Sequence, residues 1–492
     1  MFIKENYFFD SKTAILVKLA SPISDIIKFA SKKSDDFFGR IEELPVDLKK
    51  RFTQAELLSA LKEIEVFKSE YGLFSFARPY FRTVASPFTQ EEIEEKLEHN
   101  LSHLILNVTR DCNISCVYCK YSETYPAERA KDTSFMSVEI ADSALEFLRR
   151  RSEKTGSIRV GFYGGEPLLN FDVIRYVVTR TRRIFSQKKV YFSLTTNGVL
   201  LSEQGITDFL VENDFYLKVS LDGYKEVHDR YRVSKGKRGT FDLVYRNLIN
   251  LKERYTKYFL RNVGYTITLA PPYDLKGVKE FIEKSEISTH APIMVSLVDP
   301  LGTDFYLQFC FEDLSVFDKQ LDEIITEEKE LWRKGHFSPF LDSLVYKDLV
   351  LFHSRLQGDT GDVLYPSGMC IPGFERTFVD VNGDISPCER VHYHVLIGNV
   401  EDGFDYQKIK RVVDLLVKKR ERCKDCEIAK ICSLCFAGTF VHGEFSEENF
   451  ETLCGLRKKR WQKLLNIYID ILETNQNFFD FVGHVDGADE TG

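Results

Sequence analysis

Three cysteines directly behind a predicted β-strand have the spacing of a loop that binds a metal cluster. Cys112, Cys116 and Cys119 stand in the pattern C-x3-C-x2-C, after an apolar segment at 104–109. Three thiolates on one loop hold three irons of a cubane iron–sulfur cluster and leave the fourth iron open to a ligand from outside the protein. A structural zinc site usually takes four ligands in two C-x2-C pairs, so this spacing favours the cluster.

Most of the other cysteines lie in the last quarter of the chain. These seven are Cys370, Cys388, Cys423, Cys426, Cys432, Cys435 and Cys454. The chain shows no export signal, so we expect a cytoplasmic protein with reduced thiols, in which clustered cysteines indicate metal binding or catalysis. The two C-x2-C pairs between Cys423 and Cys435 are also compatible with a zinc ribbon, because zinc sites commonly have this spacing. Cys310 stands alone, and a lone cysteine is more often a small buried apolar residue than a ligand.

The elements that must position the first three cysteines form a regular series. Six apolar strand-like segments alternate with amphipathic helical segments: 104–109, 159–163, 190–195, 216–221, 263–269 and 293–298. Strands that alternate with helices predict a parallel sheet with right-handed crossovers. Because six units are too few for a closed eight-stranded barrel, we expect an α/β fold with a partial (β/α)6 TIM-like barrel. Chemistry then gathers at the C-terminal ends of the strands.

Other segments flank this predicted barrel. A hairpin at 6–19, a helix that begins with the capping-box pair Thr53 and Glu56, and a strand at 73–76 predict a winged-helix-like N-terminal module. The predicted divisions are an N-terminal module at 1–88, a linker at 89–102, the barrel at 103–300, a helical bridge at 301–365, a cysteine-rich domain at 366–474 and an acidic tail at 475–492. In the cysteine-rich domain we expect metal ligation to substitute for a hydrophobic core.

The barrel segment resembles the radical SAM superfamily, of which C-x3-C-x2-C after the first strand is the defining motif. Further motifs follow in the expected order: Tyr118 before the last cysteine, Gly164-Gly165-Glu166-Pro167 after the second strand, Thr196 and Asn197 after the third, Ser220 and Asp222 after the fourth, and then Arg232. Each motif alone is also compatible with a simple strand-end turn or a surface charge. Their joint order carries the resemblance.

The resemblance implies cofactors and residue roles. S-adenosylmethionine (SAM) binds the open iron, Tyr118 lies beside its adenine, and the Gly164–Pro167 motif holds its amino group. The polar residues at the later strand ends contact the SAM ribose and carboxylate, and Arg232 binds the carboxylate. Reductive cleavage of SAM then yields a 5′-deoxyadenosyl radical that takes a hydrogen atom from the substrate.

The C-terminal cysteines resemble the SPASM domain of radical SAM enzymes that act on peptides and proteins. The resemblance implies two auxiliary 4Fe–4S clusters, and therefore three 4Fe–4S clusters in the chain. A distal cluster is expected on Cys423, Cys426, Cys432 and Cys454, and a proximal one on Cys370, Cys388 and Cys435. Relatives with a fourth proximal ligand often have a cysteine where this chain has Arg376, so we expect an open iron that accepts a substrate thiolate.

The whole arrangement resembles enzymes that form thioether cross-links in cysteine-rich precursor peptides, with the N-terminal module similar to a leader-peptide recognition element. A sulfatase-maturing enzyme, which makes formylglycine, is the alternative. Such enzymes have an aspartate as the expected base where this chain has Glu389, although Glu389 is equally compatible with a simple ion pair to Arg390. A metal-stabilised peptide-binding or electron-transfer protein is the alternative without catalysis.

The net charge and the length of the apolar stretches indicate which classes of partner this protein can have. The formal net charge of −8 argues against nucleic acid, because phosphate contacts require a basic surplus. Apolar stretches fall short of the roughly 20 residues that span a bilayer, so no membrane partner is expected. The expected partners are a precursor peptide with its leader and an electron donor such as flavodoxin or ferredoxin.

Overall fold

The computed structural model describes the chain except residues 5, 32–39, 75, 77–78, 126–131, 289–290, 356, 359–360, 392–394, 442 and 482–492. Most of the predicted acidic tail therefore lies outside the described residues. The strands are β1 (Phe2–Lys4), β2 (Tyr7–Phe9), β3 (Leu16–Lys18), β4 (Thr83–Val84), β5 (His103–Thr109), β6 (Ile114–Cys116), β7 (Ser157–Gly164), β8 (Lys189–Thr196), β9 (Tyr216–Ser220), β10 (Arg232–Ser234), β11 (Val263–Leu269), β12 (Ile293–Leu297), β13 (Val363–Leu364), β14 (Thr377–Val379), β15 (Asp384–Ser386), β16 (Gly398–Asn399), β17 (Gly403–Phe404), β18 (Phe440–Val441) and β19 (Glu444–Phe445).

The helices pack on and between these strands. They are α1 (Ile23–Ala30), α2 (Val46–Arg51), α3 (Gln54–Tyr71), α4 (Gln90–His99), α5 (Val138–Arg151), α6 (Phe171–Ile184), α7 (Gln204–Glu212), α8 (Lys225–Tyr231), α9 (Phe241–Arg254), α10 (Thr256–Asn262), α11 (Leu275–Lys284), α12 (Phe311–Glu327), α13 (Lys329–Arg333), α14 (Pro339–Leu341), α15 (Lys347–Ser354), α16 (Tyr406–Lys419) and α17 (Glu447–Thr474). No helix in the described part of the chain is long and apolar enough to cross a membrane.

The six predicted barrel strands are all present and all parallel. They lie side by side in the order β5, β7, β8, β9, β11 and β12. Apolar side chains on these strands, such as Val160, Leu194 and Leu217, are buried in the main hydrophobic core. This arrangement confirms the predicted α/β fold with a partial barrel.

The sheet continues past the barrel, which the sequence did not predict. β14 pairs in parallel with β5, and β15, β16 and β17 follow in antiparallel order to give ten strands. Each added strand has only two or three residues. Such short strands have no readable alternation of apolar and polar residues. The cysteine-rich segment is thereby hydrogen-bonded directly to the first barrel strand.

The N-terminal segment folds as a three-stranded antiparallel sheet, β1-β2-β3, with helices α1 to α3 and an apolar cluster of its own. The predicted capping box of α3 is present, and Gly72 ends that helix with a φ of 65°. The predicted strand at 73–76 is wrong, and its Ser75 lies outside the described residues. Phe74 has a φ of 61°, and its N–H donates to Asp10 Oδ2 at 3.0 Å, so the backbone turns here instead of extending.

The cysteine-rich segment contains more hydrophobic core than the sequence predicted. Val391, Val412, Leu416, Phe436 and Phe440 are buried in one cluster, against which Cys370 and Cys388 also pack. The last helix of this segment, α17, begins at Glu447 and carries Cys454. Apolar packing and the cysteines therefore occupy the same small domain.

Candidate active site

The loop with the first three cysteines lies at the C-terminal mouth of the barrel and is held in place by a short antiparallel ribbon. β6 pairs with β10, and Arg232 lies opposite Cys116. The N–H of Val117 also donates to the carbonyl of Tyr231 at 3.0 Å. A segment that follows the fourth barrel strand thus fixes the cysteine loop that follows the first.

Polar groups surround the sulfur atoms of this loop. Asn197 Nδ2 lies 3.6 Å from Cys112 Sγ and donates to Asn113 Oδ1 at 2.7 Å. The N–H of Tyr121 donates to Cys119 Sγ at 3.4 Å. Burial raises the pKa of the Cys112 thiol to about 11. A buried thiol of this kind ionises when a metal replaces its proton, and N–H groups aimed at sulfur stabilise the bound state.

The two glycines after β7 are needed for packing against the cysteine loop. A Cβ on Gly164, whose φ is 140°, would lie 2.1 Å from the carbonyl oxygen of Thr109. A Cβ on Gly165 would lie 2.1 Å from the carbonyl oxygen of Asp111. The N–H groups of Gly165 and Glu166 donate to these same two carbonyls, each at 2.9 Å. The close approach visible here is therefore to protein backbone, which locks the motif against the base of the cysteine loop.

Glu166 is fully buried between the second and third strand ends. Its carboxylate accepts from Thr196 Oγ1 at 2.8 Å, from the Asn197 N–H at 2.7 Å and from the Leu168 N–H at 3.2 Å. Burial nevertheless raises its pKa to about 7. Pro167 begins the helical turn Pro167–Asn170 directly behind it. The structure thus brings together Glu166, Thr196 and Asn197, all of which the sequence singled out.

A second group of predicted residues forms a buried polar triad. The Tyr118 hydroxyl donates to Asp222 Oδ2, and Arg232 Nη1 donates to the same hydroxyl at 3.0 Å. Asp222 Oδ1 accepts from the Thr268 N–H at 3.0 Å. Burial raises the pKa of Asp222, and Arg232 opposes that shift. Ser220, at the end of the same strand, accepts from Thr266 Oγ1 at 3.2 Å.

His228 and Thr240 complete this network, and the sequence analysis missed both. The Asp222 N–H points at His228 Nδ1 at 3.4 Å, and His228 Nε2 lies 3.0 Å from Thr240 Oγ1. Thr240 Oγ1 in turn donates to the Arg232 carbonyl at 2.8 Å. Burial and the Arg232 charge lower the pKa of His228 to about 2, so the ring is neutral. A histidine six residues after Asp222 gave no signal by itself, because its partners come from other elements.

The C-terminal cysteines separate into two groups in space. Cys423, Cys426, Cys432 and Cys454 line one cavity, together with Arg420 and apolar side chains that include Ile428 and Phe450. Burial raises the pKa of Cys423 to about 12, and the three neighbouring thiols contribute to the rise. Three of these cysteines lie on the segment between α16 and β18, and Cys454 lies on α17.

The second group contains Cys370, Cys388 and Cys435. Burial raises the pKa of Cys370 to about 12, and the thiols of Cys435 and Cys388 raise it further. The Ala437 N–H donates to Cys435 Sγ at 3.2 Å. The described residues contain no group of three His, Cys, Asp or Glu side chains arranged to hold a single metal ion.

Glu389 and Arg376 form a close ion pair beside this second group. Arg376, on the segment before β14, thus supplies a cation for Glu389 that the sequence did not predict. The expectation that Cys310 is a small buried apolar residue was wrong. This cysteine is exposed at the start of α12, with its Sγ 3.1 Å from Asp313 Oδ2.

Comparisons with known proteins agree with this geometry. Residues 106–284 match the Radical SAM superfamily. They form a radical SAM domain. The cysteine-type anaerobic sulfatase-maturating enzyme of Clostridium novyi is 25% identical over 348 residues, which cover 68% of this chain and 87% of that protein. The serine-type enzyme of Bacteroides thetaiotaomicron is 21% identical over 70% of this chain and 84% of its own length.

The fold of this radical SAM enzyme also matches a solved structure. Native anSMEcpe with bound AdoMet superimposes with a TM-score of 0.56 at 21% identity, over 78% of this chain and 100% of that one. Membership of the superfamily implies one 4Fe–4S cluster and SAM. The residues at the barrel mouth fit both cofactors, because three half-buried cysteines share one loop and Tyr118 of the polar triad packs against Cys116.

Proposed function

We propose that this radical SAM enzyme is a peptide maturase with three 4Fe–4S clusters, which joins a cysteine sulfur of a precursor peptide to a carbon of another residue. The observation that carries the proposal is the separation of the C-terminal cysteines into one group of four and one group of three thiols. Four thiolates complete the ligation of a cubane cluster, whereas three leave one iron open. An open auxiliary iron suits a substrate that brings its own thiolate.

Each part of the chain has a distinct role in this proposal. When bound, the first cluster and SAM supply a 5′-deoxyadenosyl radical that takes a hydrogen atom from the substrate. Cys112, Cys116 and Cys119 hold that cluster. Glu166 and the Tyr118–Asp222–Arg232 triad orient SAM, and the barrel wall excludes water.

A cluster on Cys370, Cys388 and Cys435 would have one open, Lewis-acidic iron that could bind the substrate thiolate. The same cluster could accept the one electron that is left when the C–S bond forms. Overall, a C–H and an S–H bond are lost and one C–S bond forms, with SAM as the two-electron oxidant. Glu389 is the proposed acceptor of the thiol proton. Its ion pair with Arg376 holds the carboxylate beside Cys388. The proton leaves on that carboxylate or in solvent.

The N-terminal module is proposed to bind the leader of the precursor. Among the described residues, β3 is an edge strand that pairs only with β2, and an added strand beside it is the proposed mode of leader binding. Lys4 of β1 and Lys18 of β3 form ion pairs with Asp470 and Glu473, so α17 contacts both edge strands of the sheet. The reducing chemistry and the free thiols suit the cytoplasm, with flavodoxin or ferredoxin as electron donor.

Formylglycine formation is the second candidate, and two observations favour it. The sulfatase-maturating relatives align over most of their own length. Glu389 directly follows Cys388, the position at which a base is expected in such enzymes. The two candidates differ in the product and share the radical SAM chemistry.

A mass measurement on the product separates the two candidates. The purified enzyme is incubated anaerobically with SAM, dithionite and any short cysteine-rich peptide encoded beside its gene, with and without the N-terminal part of that peptide. Thioether formation makes the peptide two hydrogen atoms lighter per link and blocks alkylation of the cysteine. An aldehyde that reacts with a hydrazide probe indicates formylglycine instead. If 5′-deoxyadenosine forms without change in any such peptide, the peptide-maturase proposal is wrong.

A further inference from the structure

Arg420 is a buried cation inside the cavity lined by Cys423, Cys426, Cys432 and Cys454. It follows the last residue of α16 and is only 3% exposed. Its Nη2 donates to the carbonyl of Leu434, and its Nη1 lies 3.4 Å from the carbonyl of Ser367. These two contacts tie the end of α16 to the segment between Cys432 and Cys435 and to the segment just before Cys370.

The described protein groups neither neutralise the charge of the Arg420 guanidinium nor satisfy all of its hydrogen-bond donors. Its Nε is buried and has no hydrogen-bond partner among the described residues. No carboxylate of the described chain forms an ion pair with it, whereas the next arginine, Arg422, pairs with Glu451. A buried charge without a countercharge is costly, so such a group normally has a partner of opposite sign.

A cluster bound to the four cysteines of this cavity would be the negatively charged partner. Four thiolates on a 4Fe–4S core give a net negative charge, which increases by one when the cluster is reduced. Arg420 and the four cysteines line the same cavity, so the guanidinium lies beside that negative charge. Lys458 is exposed on α17, where solvent screens its charge.

We infer that Arg420 is the buried countercharge of the distal cluster and raises that cluster's reduction potential. The inference rests on the proposed assignment of a cluster to these four cysteines. Because the reduced cluster carries the larger negative charge, a fixed cation beside it favours the reduced form. The free Nε–H is the group available to donate to a cluster or cysteine sulfur. Arg420 is a positioning residue, since it acts through the cluster and touches no substrate.

The test is a redox titration followed by electron paramagnetic resonance. The starting protein carries Cys112→Ala, Cys116→Ala and Cys119→Ala, so that only auxiliary clusters remain, and the distal signal is the one lost on adding Cys454→Ala. Into this protein we would introduce Arg420→Met, Arg420→Lys or the matched control Arg422→Met. Arg422 is two residues away, with its side chain 48% exposed. Iron is counted in every sample.

The expected result is a more negative potential for the distal signal in Arg420→Met, a smaller shift in Arg420→Lys and none in Arg422→Met. Loss of four irons in Arg420→Met but not in Arg420→Lys also supports a role for the charge. An unchanged potential at full iron content overturns the inference. Equal iron loss in the Met and Lys variants overturns it too, because the contacts to Ser367 and Leu434 then explain the role. If the starting protein binds no iron at these cysteines, the proposed auxiliary clusters themselves are wrong.

Discussion

The buried histidine His228 shows how a single residue connects the backbone segments at the barrel mouth. With the Asp222 N–H aimed at Nδ1, the ring proton resides on Nε2 and is donated to Thr240. The Thr240 hydroxyl in turn donates a hydrogen bond to the Arg232 carbonyl. One neutral imidazole thereby connects the backbone of Asp222 with that of Arg232, the two charged residues that meet at Tyr118.

The neutral state of His228 gives a pH-dependent prediction. Its pKa is about 2 in the folded protein, against about 6.5 in an unfolded chain. Below pH 6.5 the unfolded state binds one more proton, so this residue lowers the free energy of unfolding by about 1.4 kcal/mol per pH unit. We expect His228→Gln to cost about 1–2 kcal/mol at pH 7.5, from lost hydrogen bonds, and this difference to shrink between pH 6.5 and pH 5.

Urea unfolding of the cluster-free protein across this pH range measures the effect. His336→Gln is the matched control, because His336 is exposed on a loop and should show neither the cost nor the pH dependence. A difference between wild type and His228→Gln that stays constant from pH 7.5 to pH 5 contradicts the assignment of a neutral buried imidazole.

At the scale of elements, the contact between the Gly164-Gly165 turn and the cysteine loop decides the geometry of the barrel mouth. Gly164→Ala places a Cβ against the Thr109 carbonyl and forces a left-handed φ on alanine. We expect a loss of about 3 kcal/mol or more in the free energy of unfolding, and failure to retain the iron of the first cluster. Gly156→Ala is the control, since no atom lies within 4 Å of its added Cβ.

Iron analysis and thermal unfolding of the two alanine variants test this packing. The same iron content in Gly164→Ala and Gly156→Ala would show that the turn moves freely against the cysteine loop. The close backbone contact would then have no part in holding the cluster.

At the scale of the whole molecule, one arginine links the barrel to the cysteine-rich domain. Arg110, just after β5, pairs with Asp380, just after β14, at 2.9 Å, and with Asp132 at 2.8 Å. The Asp380 side chain is 5% exposed, so Arg110→Met leaves a buried carboxylate without its cation. We expect a loss of about 3 kcal/mol, most of it recovered in Arg110→Met/Asp380→Asn.

Chemical unfolding of these variants gives the comparison. Arg149→Met is the control, because Arg149 pairs with Glu146 on the exposed face of α5 and should cost at most about 0.5 kcal/mol. If the double variant is no more stable than Arg110→Met alone, the Arg110–Asp380 pair does not hold the two regions together.

The number of irons bound per chain tests the proposed three clusters in the whole molecule. Anaerobic reconstitution is expected to give about twelve irons per chain, and about eight after Cys112→Ala/Cys116→Ala/Cys119→Ala. Replacement of Cys423, Cys426, Cys432 and Cys454 by alanine should also leave about eight. A wild-type count near four with bound zinc would instead assign the C-terminal cysteines to a zinc site.

Local sequence patterns were enough to predict the radical SAM chemistry and the six parallel strands of the barrel. Cysteine spacing and strand–helix alternation are local patterns, and hydrophobic periodicity carries them along the chain, which is why the six parallel strands were predicted correctly. The motifs at the strand ends predicted Glu166, Asp222 and Arg232 as site residues, and the structure places all three at the barrel mouth.

Packing determines which residues from distant parts of the chain come into contact. Examples are the hydrogen-bond network of His228, the Arg376–Glu389 ion pair and the position of Arg420 in its cavity. The spacing of residues along the chain does not reveal such contacts. The sheet extension from β14 to β17 was missed because its strands are too short to show a period. Phe74 was misread as strand because a hydrogen bond to Asp10, 64 residues away, sets its backbone. Long-range contacts of this kind leave no pattern in the local sequence.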